Sequence, residues 1–331
     1  MRNAQISGIG HYLPERSVTN QDLEKLMDTS DEWIRERTGI EARRWIKKGD
    51  TVTSMALAAS KMALERAGKT PQDIDCIILS CVISDYVNPG GACFLQSALG
   101  LPGIPAIDIR NGCSGFLYAL SVGEQFIKTG TYETVLVVGS EVLSPMLDKT
   151  TRGRDTAVIF ADGAGAVVLT GIEDSQKGIL ATHLHADGRF ADKLGAFSKQ
   201  MPQTMELYQD RPTDVPIDII MEGRYVFKHA VSKFPAVIKE ALNTSGYTID
   251  DVDLVIPHQA NLRISQAVAQ RLGLPEEKLV SNITQYGNTT SASIPIAMSE
   301  AWEDGRLKEG SLVCLASFGS GFTWASSLIR F

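Results

Sequence analysis

A chain that carries one stretch twice has few ways to fold. In this one, "ALERAGKTPQDIDCIIL" (Ala63 to Leu79) aligns without gaps to "ALNTSGYTIDDVDLVIP" (Ala241 to Pro257). Each copy reads as a helix end closed by a glycine, Gly68 or Gly246, then an acidic turn and a buried strand. Further along, "SALGLP" near Leu99 recurs as "RLGLP" near Leu272, and "NGCSG" around Cys113 falls opposite "YGNTT" around Asn288. "ADGAGAVVLTGI" is answered by "FGSGFTWASSLIRF", and both are read as tight Gly-rich hairpin turns leading into strands. The offset of roughly 175 residues is too long for a solenoid repeat and marks a duplicated domain. Strands alternate with helices in each copy, so the expectation is an α/β fold of two pseudo-symmetric halves, residues 1–172 and 173–331. The connection "GIEDSQKG" is short and polar, so the halves share an interface instead of flexing. Ser198 to Pro216 is expected to be a long, proline-bearing loop of the second half.

Composition removes several classes of function. The chain has 331 residues, which exceeds the usual size of a single core and agrees with two halves. No run of about 18 apolar residues occurs, and "MRNAQISGIG" lacks a signal peptide's apolar stretch, so a cytoplasmic protein is expected. A net charge of -7 argues against nucleic acid as the main partner. Five scattered cysteines without CxxC spacing indicate neither a disulfide framework nor a zinc site.

Among those cysteines, Cys76 and Cys314 sit in strand contexts, and Cys81 and Cys93 in small or apolar surroundings, where cysteine acts as a small hydrophobe. Cys113 differs. It follows an apolar run and precedes "GFLYALSVGEQFIKTG", whose spacing (Phe116, Leu117, Leu120, Phe126, Ile127) suits a buried helix. The free N–H groups and positive dipole end of that helix would favour a thiolate, and the flanking glycines would admit a substrate. The same turn would also serve as a tight packing corner. His258, in "LVIPHQANLRI", stands where a strand ends and a helix begins. Asn288, in "YGNTTSASIP", is read as the counterpart of the Cys113 turn. Singly these are a residue beside a helix cap and a turn asparagine. Together, at matched ends of duplicated strands, they make a nucleophile with two partners.

Other constellations are weaker. "HLH" (His183, His185) could be a metal pair but lacks a third ligand. The GxG pieces run into strands, whereas a dinucleotide loop opens a helix. In "DTSDEWIRERTG", Thr29 and Glu32 suggest a capping box and Gly39 a helix stop. Trp33 and Arg37 stand at i,i+4, a pair that suits either an adenine sandwich or a cation–π contact closing the helix.

On "TSDEWIRERTGI", "DGAGAVVL", "PHQANLRI", "YGNTTSASIP" and "FGSGFTW", the chain resembles the β-ketoacyl-acyl-carrier-protein synthase III family of the thiolase superfamily over its whole length. Other thiolase-fold enzymes carry Cys or His in place of Asn, and plant-type polyketide synthases are longer and lack the "DEW" helix. The resemblance implies layers in the order α-β-α-β-α. It also implies decarboxylative Claisen condensation of an acyl-CoA with malonyl-acyl carrier protein, with no metal or redox cofactor. It assigns Cys113, His258 and Asn288 to catalysis and the N–H groups of Cys113 and Ser320 to the oxyanion. Trp33, Arg37, Arg152, Phe227 and Asn261 fall to coenzyme A, and Arg263, Lys228 and Arg271 to the acidic carrier protein. It implies a homodimer, with "GGACFLQSALGL" as an interface segment.

Three departures from the family pattern concern the starter acid. Asn88 stands where many members carry an aromatic that reaches the partner's acyl pocket. "RNG" before Cys113 replaces frequent alanines, and Gly319-Ser320-Gly321 replaces a glycine triplet. These make a starter other than acetyl plausible. One rival reading is an acyltransferase passing the acyl group to a hydroxyl or amine, which would release no carbon dioxide. Another is a non-catalytic scaffold, whose Cys113 would be inert to thiol labelling.

Overall fold

The computed structural model describes residues 2–198 and 217–331. The loop expected from Ser198 to Pro216 therefore lies outside the described residues, except for Ser198, which ends a short strand, Leu194–Ser198.

The first half is built on five strands: β1 (Asn3–Tyr12), β2 (Cys76–Ser80), β3 (Ala106–Ile109), β4 (Thr134–Glu141) and β5 (Gly163–Ile172). They lie in the order β1-β5-β4-β2-β3, antiparallel as far as β4 and parallel beyond it. The second half repeats the plan. Strands β6 (Gly178–Ala186), β7 (Leu254–Pro257), β8 (Leu312–Gly319) and β9 (Thr323–Arg330) lie in the order β6-β9-β8-β7 with the same senses. Where β3 would stand, Leu279 makes a single parallel bridge to Val255.

Helices fill three layers. α1 (Asp31–Thr38) lies beside the site. α2 (Val52–Arg66) and α3 (Gly91–Ala98) cover the outer face of the first sheet, and α5 (Gly223–Ser245) and α6 (Leu262–Leu272) that of the second. α4 (Gly115–Lys128) and α7 (Ser293–Glu303) lie between the sheets, where Phe116, Leu117, Ile294 and Met298 meet Ile78 from one sheet and Ile256 from the other. Strand β2 shows why both faces must be apolar: Ile78 points to the central layer, while Ile77 and Leu79 point to α2 and α3. The result is a thiolase-type α-β-α-β-α stack.

The repeat is faithful in detail. Gly68 and Gly246 follow their helices with φ 63° and 74°, and Thr70 with Asp73 and Thr248 with Asp251 form matching capping boxes, 178 residues apart. The same spacing relates the one-turn helices Gly112–Ser114 and Thr290–Ala292. The counterpart of Cys113 is thus Ser291, and Asn288 lies three residues earlier, opposite Arg110. This corrects the alignment of Asn288 with Cys113.

Three local expectations also change. Ser30, not Thr29, caps α1, its hydroxyl accepting from the Trp33 N–H at 3.1 Å. Gly163 and Gly165 lie inside β5 and not in a hairpin, because residues 142–162 separate β4 from β5; Gly165 packs on Pro295. Cys93 is exposed on α3, whereas Cys76, Cys81 and Cys314 are buried as expected.

Candidate active site

The nucleophile candidate sits at a corner that only a narrow backbone path reaches. After β3 the chain turns through Gly112 (φ 52°), so that Cys113 lies in the one-turn helix that opens α4. A Cβ on Gly112 would come within 2.1 Å of Ser320 Oγ, and one on Gly319 within 2.7 Å of Cys113 Cβ. The β8–β9 hairpin therefore lies directly on the Cys113 turn, with the Ser320 backbone beside it. Ser320 itself keeps φ outside the left-handed region, so serine is unstrained where a glycine was expected.

His258 continues β7 by one residue, its N–H donating to the Ala316 carbonyl at 2.8 Å. Its neighbour Gln259 is fully buried and anchors the turn, donating to the Pro257 and Val280 carbonyls and accepting from Ser281 and Asn282. Asn288 is clamped through its backbone, donating to the Ile159 carbonyl and accepting from the Ala161 N–H, both at 2.9 Å. Its side-chain oxygen accepts the Thr290 N–H at 2.8 Å, which leaves the carboxamide's donor end for the cavity. Cys113, His258 and Asn288 converge on one cavity of 560 Å³.

Burial dominates the electrostatics. It takes the His258 imidazole down to about 3, so the ring is neutral at physiological pH. Ser293 Oγ lies 2.7 Å from Nδ1 and also accepts from the Gln259 N–H, which fixes the orientation of the ring. The Cys113 thiol is pushed up to about 12, first by burial and then by the charge of Glu141. The helix end expected to favour thiolate is outweighed, since such an end contributes at most about 2 kcal/mol. Glu141 is fully buried and is itself raised to about 7 by desolvation.

At the mouth, Trp33, Arg37, Phe227, Asn261 and Arg263 line the same cavity. The guanidiniums of Arg37 and Arg154 lie over the Trp33 ring, 4.7 and 4.5 Å from its centre. Arg154 carried no sequence signal, because its contact with Trp33 crosses more than a hundred residues. Arg152 lies in a neighbouring cleft, paired with Asp148. Asn261 caps α6, and its amide donates to the Arg37 carbonyl, tying α6 to α1. Lys228 is exposed on α5, and Arg271 donates to the Val231 carbonyl, bracing α6 against α5. Asn88 is exposed in the loop before α3, outside the lining of this cavity.

His183 and His185 both face Glu240, and among the described residues no group of three or more His, Cys, Asp or Glu could hold a metal ion. Among the same residues, no helix is long and apolar enough to cross a membrane.

Comparison with known proteins gives the family. The family model described as 3-oxoacyl-[acyl-carrier-protein (ACP)] synthase III matches residues 107–188, and that for its C-terminal part matches residues 242–331. A β-ketoacyl-[acyl-carrier-protein] synthase III of Xanthomonas campestris pv. campestris is 45% identical over 99% of this chain and 98% of its own length. One from Alkalilimnicola ehrlichii is 45% identical over the whole of both chains. The crystal structure of 3-oxoacyl-[acyl-carrier-protein] synthase III from Aquifex aeolicus VF5 superposes with a TM-score of 0.90, at 43% identity and covering 99% and 100% of the two chains. The priming β-ketosynthase of the R1128 polyketide pathway reaches 0.91 at 31% identity, covering 99% and 96%. Matched along its full length at this level of identity, the chain belongs to the β-ketoacyl-[acyl-carrier-protein] synthase III family of condensing enzymes.

Proposed function

We propose that the protein condenses an acyl-CoA starter with malonyl-acyl carrier protein in fatty-acid or related biosynthesis, through an acyl group held on Cys113. The observation that carries this reading is the convergence of one buried thiol with a neutral imidazole and a backbone-pinned carboxamide on a single cavity. In the first half-reaction the sulfur of Cys113 attacks the acyl carbonyl, and the tetrahedral oxyanion is met by the N–H groups of Cys113 and Ser320. The carbon–sulfur bond to coenzyme A breaks, and the thiol proton leaves with the coenzyme's thiolate. In the second, malonyl thioester places its carbonyl oxygen against His258 Nε2–H and the Asn288 amide. As the carbon–carbon bond to carbon dioxide breaks, negative charge gathers on that oxygen, and fixed donors bind it better than the ground state. The carbanion attacks the acyl-enzyme, and the released thiolate takes a proton from solvent. This route needs no cofactor beyond the two thioester substrates.

The mouth suits the carriers. Trp33 with Arg37 and Arg154 offers a flat cationic platform for the adenine and phosphates of coenzyme A, with Phe227 and Asn261 along the channel and Arg152 nearby. Exposed Arg263 and Lys228, with Arg271, form the basic approach for an acidic carrier protein. A homodimer fits an edge strand, β3, that among the described residues is unpaired on its outer side, with Tyr86 and Val87 exposed in the loop before α3; the cytoplasm is the setting proposed for it. Asn88 in that loop would reach the partner's acyl pocket and widen it for starters longer than acetyl.

The test is incubation with a panel of acyl-CoA species followed by intact-mass analysis and by carbon dioxide release from malonyl-carrier protein. The expected result is a stable acyl adduct on Cys113, discharged with carbon dioxide release. An adduct discharged to a hydroxyl or amine without carbon dioxide would point to the acyltransferase reading.

A further inference from the structure

This chemistry leaves several buried acids unused, Glu141 among them. Glu141 ends β4, the central strand of the first sheet, with no exposed surface. Its carboxylate accepts the Val82 N–H at 2.9 Å and the Ser291 hydroxyl at 2.5 Å, with the Ser291 N–H at 3.4 Å. The two contacts with Ser291 cross the molecule, because Ser291 belongs to the second half. The repeat shows what they replace. At the matching end of β8, 178 residues on, stands Gly319, which packs bare backbone on Cys113. Each central strand thus touches the other half's turn, and only Glu141 holds its turn by side-chain hydrogen bonds.

The turn it holds is under strain. Thr290 has φ 47° and is the one non-glycine residue in the left-handed region among the described residues. Its N–H is the donor that fixes the side-chain oxygen of Asn288. A strained residue persists only where its surroundings hold it, and Ser291, bonded to Glu141, is the next residue in the chain.

We propose that Glu141 is a positioning residue for decarboxylation: by holding Ser291 it keeps the Thr290 N–H on the Asn288 carboxamide, and so aims that amide at the malonyl carbonyl oxygen. The proposal rests on the functional reading above. Glu141 does not touch the reacting atoms, so its loss misplaces a donor; losing its charge, which disfavours the Cys113 thiolate, would ease acylation and not slow it. A displacement of about 1 Å can cost on the order of 10²-fold in rate.

The experiment compares full-length Glu141→Ala, Glu141→Gln and Ser291→Ala with the unmodified enzyme. Cys113 acylation is followed by mass, and carbon dioxide release from malonyl-carrier protein by kcat and KM. For Glu141→Ala we expect kcat for carbon dioxide release to fall about 10–100-fold, with KM changed by less than about 3-fold and acylation not slowed. Glu141→Gln keeps an acceptor for Ser291 but turns its NH2 toward the Val82 N–H, so it should recover part of the rate. Ser291→Ala removes only the linking hydroxyl and serves if the Glu141 variants fail to fold; it should lose about 3–10-fold in the same step. Equal loss of both steps, a glutamine variant no better than alanine, or a folded Ser291→Ala at full rate would overturn the proposal. An unmodified enzyme that releases no carbon dioxide would overturn the functional reading and this proposal with it.

Discussion

The turns at Gly112–Ser114 and Thr290–Ala292 share a backbone path and differ in what they carry. Each passes through a left-handed residue, φ 52° at Gly112 and 47° at Thr290, and each opens a helix of the central layer. In the first half the next residue is Cys113, a sulfur facing the cavity. In the second it is Ser291, whose hydroxyl is given to Glu141. The second half supplies its chemistry from neighbouring positions instead: His258 answers Ser80, and Asn288 answers Arg110. Duplication thus made two equivalent corners. One kept the nucleophile and a glycine whose left-handed backbone is unstrained; the other became the mount for the donors and tolerates a threonine costing roughly 1–2 kcal/mol of strain.

The largest effect expected from breaking this comparison is at Cys113. Cys113→Ala should abolish the covalent mass shift with every acyl-CoA, because none of the other four cysteines lines the cavity. An adduct that persists in this variant would move the nucleophile elsewhere.

The buried acid offers the next test. Its folded value, about 7, lies above the ordinary 4.5, so the folded state binds more protons between those limits. Stability from this group is therefore full below pH 4.5 and is lost as pH rises through 7, by an amount on the order of 3 kcal/mol. The melting temperature of Glu141→Gln relative to the unmodified protein should rise from about pH 5 to about pH 8. A difference independent of pH would mean that Glu141 titrates normally.

A smaller contrast sharpens the two turns directly. Gly112→Ala adds a Cβ at positive φ that meets Ser320 Oγ, and should cost about 2 kcal/mol or more in denaturant unfolding. Thr290→Gly relieves strain while loosening the unfolded chain, so it should change stability by less than about 1 kcal/mol. Equal costs would deny that the second corner is strained.

Much of this was legible in the sequence because it is local or repeated. Gly68 and Gly246 stop their helices where helix periodicity ends, and the duplicated strands brought Cys113, His258 and Asn288 to one place before any coordinates. Register between the copies was less legible. The identities between "NGCSG" and "YGNTT" are too sparse to show that Asn288 lies three residues short of the Cys113 position. Contacts formed only on folding left no signal: Arg154 on Trp33, Glu141 under Ser291, Ser293 on His258. The pair Thr29–Glu32 had a capping pattern, but Ser30 one residue later makes the bond. The thiolate expected at Cys113 failed for a physical reason, since a helix end is a local term and burial is a property of the whole fold.

The central claim is that the halves divide the reaction, the first carrying the acyl group and the second stabilising the enolate. The most direct measurement is acyl-enzyme mass and carbon dioxide release side by side on folded His258→Ala and Asn288→Ala. Losing one such donor costs about 10²–10³ in rate, so both variants should acquire the acyl group normally and release carbon dioxide that much more slowly. If Asn288→Ala lost acylation yet decarboxylated malonyl-carrier protein at the normal rate, the division would be contradicted.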